Sequence, residues 1–344
     1  MREWQNEASL ATAEDFVSLL GEVERILSEE QKRRGGSGLV FIPAREICGR
    51  GKCNESESEG EAKIMVVGDI HGDLESLSRI IEDFFAINPS KIIFLGDYGD
   101  RGDESVEVYY TLFKFKIFVD GSKGSESFER AAECSSAAKS GSESECESRV
   151  ILLRGNHEGP PDLPVSPHEL PYLFRRKFGA AKGHELYLKV KTLWEFLPHA
   201  AFIECLSGEG YLLTHGGIPQ NATSLNDISE AHRRHPHTSE LEEILWSDPF
   251  EGEGCTFSLR GAGKNFGTDI SERVLRALGV KTLVRSHEPC EDGVEVLHNG
   301  RILTIFSRKG APYFNSHAAY LLLDADALET ARNAYELAAK TVRW

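Results

Sequence analysis

The sequence has no apolar run of the roughly 18 residues that a membrane-spanning helix needs. Its first residues, MREWQNE, contain no apolar stretch typical of a signal peptide. None of the seven cysteines stands in a Cys-x-x-Cys pair, which argues against a zinc knuckle or a redox motif. These absences predict free thiols in a reducing cytoplasm and no contact with a membrane.

Positive charge is also scarce. The chain has 39 Lys and Arg against 55 Asp and Glu, which gives a formal net charge of −16. Such a charge disfavours non-specific binding to nucleic acids and anionic lipids, so we expect neither as a partner. The 344 residues are enough to bury a large core, and we predict a single domain over residues 1–344.

Large apolar residues are almost missing from two segments, 49–62 and 120–148, which are rich in Ser, Gly, Glu and Ala. Neither segment can bury enough surface to offset the entropy of ordering it. We therefore interpret both as low-complexity insertions in solvated loops. A regulatory or partner-binding role for them is the alternative that composition leaves open.

Elsewhere the apolar pattern is regular. Residues 10–30 predict an N-terminal helix, with apolar side chains on one face from Phe16 to Leu27 and a capping box at Thr12 and Asp15. Strands and helices then alternate, which predicts an α/β fold. The predicted strands are 63–67, 91–95, 150–153, 211–214, 281–284, 293–298, 301–306 and 319–323, and the helices between the first three are 73–87 and 104–116. The later strands indicate a second sheet that faces the first across a sandwich, and Asn299-Gly300 predicts a hairpin.

Each of five predicted strands ends in a polar cluster. The clusters are GDIHG at 68–72, GDYGDRG at 96–102, RGNHE at 154–158, HGG at 215–217 and RSHE at 285–288. In α/β folds ligands bind beyond the carboxyl ends of the strands, and Asp, His and Asn side chains suit divalent metals such as Mn, Fe and Zn. One cluster alone could be an ordinary turn, but five clusters of the same ligand chemistry indicate a metal site.

The motifs GDIHG, GDYGDRG and RGNHE, in this order, resemble the signature of the PPP family of serine/threonine protein phosphatases. WSDP at 246–249 and RGAGKNFG at 260–267 fit the same family. The three-part core is shared with the wider calcineurin-like metallophosphoesterase superfamily, and the Arg260 segment narrows the resemblance to protein phosphatases. The resemblance spans about residues 10–325 and implies a central β-sandwich of two mixed sheets flanked by helices.

The resemblance also implies a site and a reaction. We therefore expect a catalytic domain that hydrolyses phosphoserine and phosphothreonine in proteins. The resemblance implies a hydroxide between two metal ions as the nucleophile and a histidine as the general acid. Mn²⁺ is the first choice of metal in vitro, and Fe or Zn are alternatives. The implied residues are the metal ligands Asp69, His71, Asp97, Asn156, His215 and His287 with Asp97 shared, the phosphate-binding Arg101 and Arg260, the general acid His157, and Asp100 to orient it.

The sequence departs from the family in a few places. Gly99, Lys264 and Glu288 replace the residues that are usual there. The largest departure is the segment 307–315, where only Pro312 and Tyr313 of the family's Ser-Ala-Pro-Asn-Tyr-Cys loop remain. The role of Tyr313 is therefore open at the level of sequence.

Two other functions compete with protein dephosphorylation. One is hydrolysis of a small molecule such as a dinucleoside polyphosphate by an enzyme of the same superfamily, and the other is a non-catalytic scaffold. The Arg260 segment favours a protein phosphatase, and the presence of all six ligands and of His157 argues against a scaffold. The expected partners are phosphorylated proteins, and regulatory subunits cannot be read from the sequence.

Overall fold

The computed structural model describes residues 1–47, 62–121 and 148–344. The strands are β1 (Leu39–Ile42), β2 (Lys63–Val67), β3 (Lys91–Phe94), β4 (Val150–Leu152), β5 (Ala200–Glu204), β6 (Gly210–Thr214), β7 (Asp248–Pro249), β8 (Cys255–Phe257), β9 (Lys264–Phe266), β10 (Val280–Arg285), β11 (Val294–Leu297), β12 (Ile302–Ile305), β13 (Ala319–Asp324) and β14 (Thr341–Arg343). The α-helices are α1 (Arg2–Leu10), α2 (Ala13–Arg33), α3 (Ala44–Ile47), α4 (Leu74–Ile87), α5 (Ser105–Lys116), α6 (Leu170–Phe178), α7 (Ala180–Trp194), α8 (Leu225–Ser229), α9 (Ala231–Arg234), α10 (Glu240–Trp246), α11 (Thr268–Leu278), α12 (Ala325–Thr330) and α13 (Ala334–Ala338). None of the helices in these ranges combines the length and apolarity needed to cross a bilayer.

Two mixed sheets form the centre of the fold, as predicted. The first has the order β14-β13-β2-β3-β4, with β2, β3 and β4 parallel, and the second has the order β1-β5-β6-β10-β12-β11, with β6, β10 and β12 parallel. The two sheets share one apolar core, to which Ile64, Val66 and Ile93 contribute from the first sheet and Ile203, Leu213 and Leu303 from the second. A parallel bridge between Asp69 and Phe306 joins the sheets at the carboxyl end of β2.

Helices cover both outer faces of this sandwich. Because side chains alternate along a strand, Met65 and Val67 of β2 point away from Ile64 and Val66 and pack in a core with α2, α4, α5 and α7. On the other outer face, Leu212 and Leu283 pack with α10 and α11. The α/β sandwich that the alternating pattern predicted is therefore confirmed.

Local signals in the sequence match the structure closely. The Thr12–Asp15 capping box starts α2, and Asp73 caps α4 by accepting a hydrogen bond from the Ser76 amide. The hairpin between β11 and β12 turns at Asn299, whose φ is 56°. These features follow from residues close in sequence, which is why they could be predicted.

One assignment of a strand to a sheet was wrong. We grouped 319–323 with the second sheet because it follows the strands of that sheet in the chain. In the structure β13 pairs antiparallel with β2, and Leu322 lies opposite Met65 in the first sheet. Strand patterns indicate which face is buried, whereas the choice of partner depends on contacts distant in sequence.

The ends of the second predicted insertion belong to the folded structure. Residues 49–61 and 122–147 lie outside the described residues, but Asp120 and Ser148 are described and hydrogen bond to each other at 2.7 Å. Both contact Lys116, which is fully buried, pairs with Glu30 at 2.7 Å and donates to the Val150 carbonyl. Asp120 and Ser148, the terminal residues of the predicted insertion 120–148, therefore contact the folded domain, and the insertion between them stays a prediction.

The contacts among Lys116, Asp120 and Ser148, which we call the clasp, can be tested with a matched pair of loop replacements. A Gly-Ser linker in place of 122–147 is expected to leave the melting temperature nearly unchanged, because Asp120 and Ser148 still meet. A linker in place of 120–148 is expected to cost about 1–3 kcal/mol, because the buried Lys116 ammonium loses charge-assisted hydrogen bonds. Urea unfolding measures both free energies. Equal stability of the two variants would contradict a structural role for the clasp.

Candidate metal centre and active site

The strand-end clusters meet at one end of the sandwich. Strands β2, β3 and β4 are parallel, and the clusters that follow them carry Asp69, Asp97 and Asn156. Strands β6 and β10 are parallel neighbours in the other sheet, and His215 and His287 follow them. All six predicted metal ligands are buried, so the chain places charged and polar side chains together where little water reaches them.

Asp69, His71 and Asp97 form one half of the cluster. The Nε2 atom of His71 lies 3.3 Å from Asp69 Oδ2 and 3.4 Å from Asp97 Oδ2. The other ring nitrogen, Nδ1, is 2.9 Å from the Gly99 carbonyl, which can only accept. Nδ1 therefore carries a proton, which leaves Nε2 as the ring atom that can bind a cation beside the two carboxylates.

Asp97, Asn156, His215 and His287 form the other half. His215 Nε2 lies 3.4 Å from Asp97 Oδ2, 3.1 Å from Asn156 Oδ1 and 3.0 Å from His287 Nδ1. His215 Nδ1 faces the Leu95 carbonyl at 3.2 Å, so its Nε2 also presents a lone pair in the neutral form. Asp97 belongs to both halves, as the family resemblance implied.

This arrangement fits divalent cations. Carboxylate, amide and imidazole acceptor atoms converge on the same space, where without a cation they would repel one another. Among the described residues, neither the buried Asp69 Oδ2 nor the buried His287 Nε2 has a hydrogen-bond partner. Oxygen and imidazole ligands of this kind suit Mn, Fe and Zn.

The charges of the cluster act on its histidines in opposite directions. Burial alone would lower the pKa of His71, but the adjacent carboxylate of Asp69 and the charge of Asp97 raise it to about 9. Burial holds the pKa of His287 well below its usual value, and the nearby charge of Arg260 adds to that effect. The carboxylates thus favour positive charge at His71, whereas burial and Arg260 oppose it at His287.

Several site residues have a left-handed backbone conformation. The φ angles are 44° at His71, 57° at Asp97, 63° at Asp100, 66° at Arg101 and 74° at His287. Non-glycine residues in sparsely populated regions cost about 1–3 kcal/mol each and persist where the surroundings hold them. The turns after the strands therefore carry strain that aims these side chains at one another.

Glu158 holds two of these turns together. Its fully buried carboxylate accepts hydrogen bonds from the backbone amides of Asp97, Tyr98 and Gly155 and from the Tyr109 hydroxyl. Burial, together with the charge of Asp97, raises the pKa of this carboxyl. The side chain thus fixes the loop after β3 against the loop after β4.

His157 and Asp100 lie beside the metal ligands. His157 Nδ1 is 2.6 Å from Asp100 Oδ2, and its Nε2 is 3.9 Å from Asp97 Oδ2. The other Asp100 oxygen accepts from the Leu170 amide at 2.7 Å. Although burial opposes ionisation, the hydrogen bonds from His157 and His168 hold the Asp100 pKa below its usual value.

His168 is a part of the site that the sequence did not predict. Its Nδ1 lies 2.6 Å from the same Asp100 oxygen that contacts His157, and its Nε2 lies 2.9 Å from the Tyr187 hydroxyl. It stands in a loop outside the strand-end motifs, and only its position between His157 and α6 could have drawn attention to it.

A cavity of about 350 Å³ opens over the cluster. Arg101 and Arg260 line it from different sides, together with His71, His157 and Tyr313. Arg101 is held by the Pro167 carbonyl at 2.9 Å, and Arg260 Nε donates to Asp248 at 2.6 Å. The two predicted phosphate-binding side chains therefore share one opening with the predicted general acid.

Tyr313 also reaches this cavity, although its loop departs from the family pattern. Its ring stacks on His71 with the centroids 5.8 Å apart and packs edge-on against Phe306. Arg308 supports the loop by donating to the carbonyls of His71 and Ala311. Arg308 is thus a buried structural cation, and Tyr313 forms a wall of the site.

Comparisons with known proteins place the chain in a family. A sequence profile described as calcineurin-like phosphoesterase matches residues 62–291. A protein of Encephalitozoon cuniculi named as a probable serine/threonine-protein phosphatase is 31% identical over 282 residues, which are 80% of this chain and 53% of the relative. Human serine/threonine-protein phosphatase 5 is 29% identical over 297 residues, which are 85% of this chain and 52% of the relative. The chain thus spans about half the length of these relatives.

A solved structure shows the same fold. It is a protein serine/threonine phosphatase from Saccharomyces cerevisiae with similarity to human phosphatase PP5, and its TM-score is 0.66 at 21% identity. The match covers 97% of this chain and 89% of that structure.

Proposed function

Because the chain belongs to the calcineurin-like phosphoesterase family, we propose that it is a metal-dependent enzyme that hydrolyses phosphoserine and phosphothreonine in proteins. The observation that carries the proposal is the shared cavity. It brings together a cluster of buried acceptor atoms, two arginines and a histidine–aspartate pair. The names of the relatives at about 30% identity support the choice of protein substrates.

The family implies divalent metal ions, and we assign their ligands as the resemblance suggested. Asp69, His71 and Asp97 would hold one cation, and Asp97, Asn156, His215 and His287 would hold the other. Two such cations supply positive charge for the phosphate oxygens and lower the pKa of water. Mn²⁺ is our first choice in vitro, with Fe and Zn as alternatives, because the donor set accepts all three.

Arg101 and Arg260 are proposed to bind the remaining phosphate oxygens. Guanidinium groups match phosphate geometry and form charge-assisted hydrogen bonds. Within the described part of the chain, the Arg260 side chain forms its only hydrogen bond through Nε, to Asp248. Its terminal nitrogens can therefore point to a substrate without giving up a protein contact.

His157 is proposed to protonate the leaving alkoxide, and Asp100 to orient it. Asp100 contacts Nδ1 of the ring, so the proton that is transferred sits on Nε2 at the cavity. Asp100 is in turn fixed by the Leu170 amide and by His168. Positioned general acids contribute about 10²–10⁴-fold in rate when the leaving group needs a proton.

His168 is expected to act as a positioning residue through Asp100. His168→Ala should lower kcat on a phosphoserine peptide about tenfold with little change in KM, since a charge-assisted hydrogen bond is worth roughly 1.5–3 kcal/mol and only part of it bears on His157. The loss on p-nitrophenyl phosphate, whose leaving group needs no proton, should be smaller.

His168→Asn is the matched variant, because its amide can donate from about the position of the imidazole Nδ1. It should recover most of the phosphoserine activity. If His168→Ala lost equally on both substrates, or His168→Asn failed to recover, His168 would be only a structural residue.

A substrate panel tests the proposed function. We expect turnover of a phosphoserine or phosphothreonine peptide to exceed that of a phosphotyrosine peptide and of diadenosine tetraphosphate. Preference for diadenosine tetraphosphate would favour the small-molecule alternative. No turnover of any substrate by Mn²⁺-loaded protein would favour a scaffold, although the convergence of all six ligands argues against it.

We further propose that residues 1–344 form one catalytic domain. The N-terminal helices support this, because Phe16 of α2 and Ala8 of α1 lie in the same core as β2 and β3. At the other end, β14 pairs with β13 in the first sheet. A cytoplasmic location stays a prediction that rests on the pattern of cysteines.

A further inference from the structure

A second, smaller cavity lies behind the loop that carries Asn156 and His157. It has a volume of about 130 Å³ and shares no lining residue with the metal-site cavity. Its wall is unusual in chemistry, because it contains five basic or imidazole side chains. These residues, which we call the arginine–histidine pocket, are Arg34, Arg154, His199, His232 and His235.

Both arginines of the pocket have a donor group to spare. Arg154 uses Nε for the Glu158 carbonyl at 2.6 Å and Nη2 for Glu195 at 3.0 Å. Arg34 uses Nε for the Ser37 carbonyl at 3.3 Å and Nη2 for the Phe196 carbonyl at 3.0 Å. In the described part of the chain, the Nη1 group of neither arginine forms a hydrogen bond.

Two histidines of the pocket are also unsatisfied. The Nδ1 atoms of His232 and His235 are buried and have no hydrogen-bond partner among the described residues. His235 is oriented by Asp162, which lies 2.9 Å from its Nε2. His199 packs against His232, with ring centroids 5.5 Å apart, and its Nε2 faces the Ile228 carbonyl at 2.7 Å.

The pocket is short of negative charge. Arg154 is almost fully buried, and Glu195 is the one carboxylate among the described residues that lines the cavity with it. Burial lowers the pKa of both Arg154 and Arg34, as expected where guanidinium groups lack full compensation. Water could fill the cavity, which has room for about four molecules at ~30 Å³ each, but water would not neutralise the guanidinium charges.

We propose that the arginine–histidine pocket binds a small tetrahedral oxyanion, of which inorganic phosphate is the representative. Its oxygens can accept from Arg34 Nη1 and Arg154 Nη1, and the O–H that phosphate keeps at neutral pH can donate to the unpaired Nδ1 lone pair of His232. The site does not depend on the proposed catalytic function. It is adjacent in sequence to proposed active-site residues, because Arg154 immediately precedes Gly155, Asn156 and His157.

The number of phosphate ions bound per chain tests the proposal. Equilibrium dialysis of the metal-loaded, full-length protein with radiolabelled inorganic phosphate should give one more bound ion in the unmodified chain than in Arg34→Gln. Arg25→Gln is the matched control, because Arg25 lies on α2, the helix that ends just before Arg34, is exposed and, among the described residues, pairs with Glu29. It should bind as many ions as the unmodified chain.

His232→Phe serves as a second variant should Arg34→Gln fold poorly. It keeps both arginines, removes the unsatisfied Nδ1, and should also lose one ion per chain or bind it at least tenfold more weakly. Any phosphate bound at the metal site adds the same number of ions per chain in every variant. Failure of the proposed enzyme function would therefore not alter the difference in bound ions between variants. Equal stoichiometry and affinity in Arg25→Gln, Arg34→Gln and His232→Phe would overturn the proposal.

Discussion

Dialysis against a chelator is expected to abolish turnover, and added Mn²⁺ is expected to restore it. The reason is the convergence of acceptor atoms around Asp97, whose carboxylate is shared by both halves of the cluster. Without cations a phosphate would face the buried carboxylates of Asp69 and Asp97, which repel it. Elemental analysis of the active protein should give two metal ions per chain.

Stability gives an independent measure of the same site. A ligand that binds only the folded state stabilises it by about 4 kcal/mol at a thousand times its Kd, so Mn²⁺ should raise the melting temperature of the unmodified chain. Asp97→Asn should lose most of this rise, whereas Asp326→Asn, at an exposed position in α12, should keep it. Full activity with less than one metal ion per chain would contradict the two-metal assignment.

His157→Asn is expected to lower kcat on a phosphoserine peptide by about 10²-fold or more. The alkoxide of serine is a poor leaving group, and His157 lines the cavity with its ring oriented by Asp100. Turnover of p-nitrophenyl phosphate should fall much less, because p-nitrophenolate leaves without a proton. Steady-state kinetics on the two substrates give the ratio directly.

His237→Asn provides the control for this comparison, since His237 is exposed and lies outside the cavity. It should leave both activities unchanged. Equal losses on the two substrates in His157→Asn would mean that the ring supports the structure of the metal site and does not act as the acid.

Those residues of the site that belong to short sequence motifs could be predicted. Asp69, Asp97 and Asn156 each follow an apolar strand directly, and parallel strands bring their ends together. Residues far apart in sequence could thus be placed in one site by a rule about sheets. The fold class followed from the same alternation of strands and helices.

What escaped prediction depends on contacts between distant segments without a motif. His168 reaches Asp100 because the loop before α6 folds back over the site. The residues next to His168 in sequence do not indicate this path. The predicted sheet of β13 was wrong for a similar reason, because the burial pattern of this strand fits either sheet. Tyr313 was left open because its loop lacks the family motif, yet stacking on His71 places it at the cavity.

At the site residues with positive φ, selection for stability and selection for catalysis would favour different side chains. Glycine adopts positive φ without the clash that a side chain brings, so glycine at Asp100 or Arg101 would relieve strain in the folded backbone. In a laboratory population selected only for heat resistance, such substitutions would accumulate at these turns and remove the side chains that we propose orient the acid and bind phosphate. Selection for turnover would reverse them, which is the trade-off expected of a functional site that is held in a costly conformation.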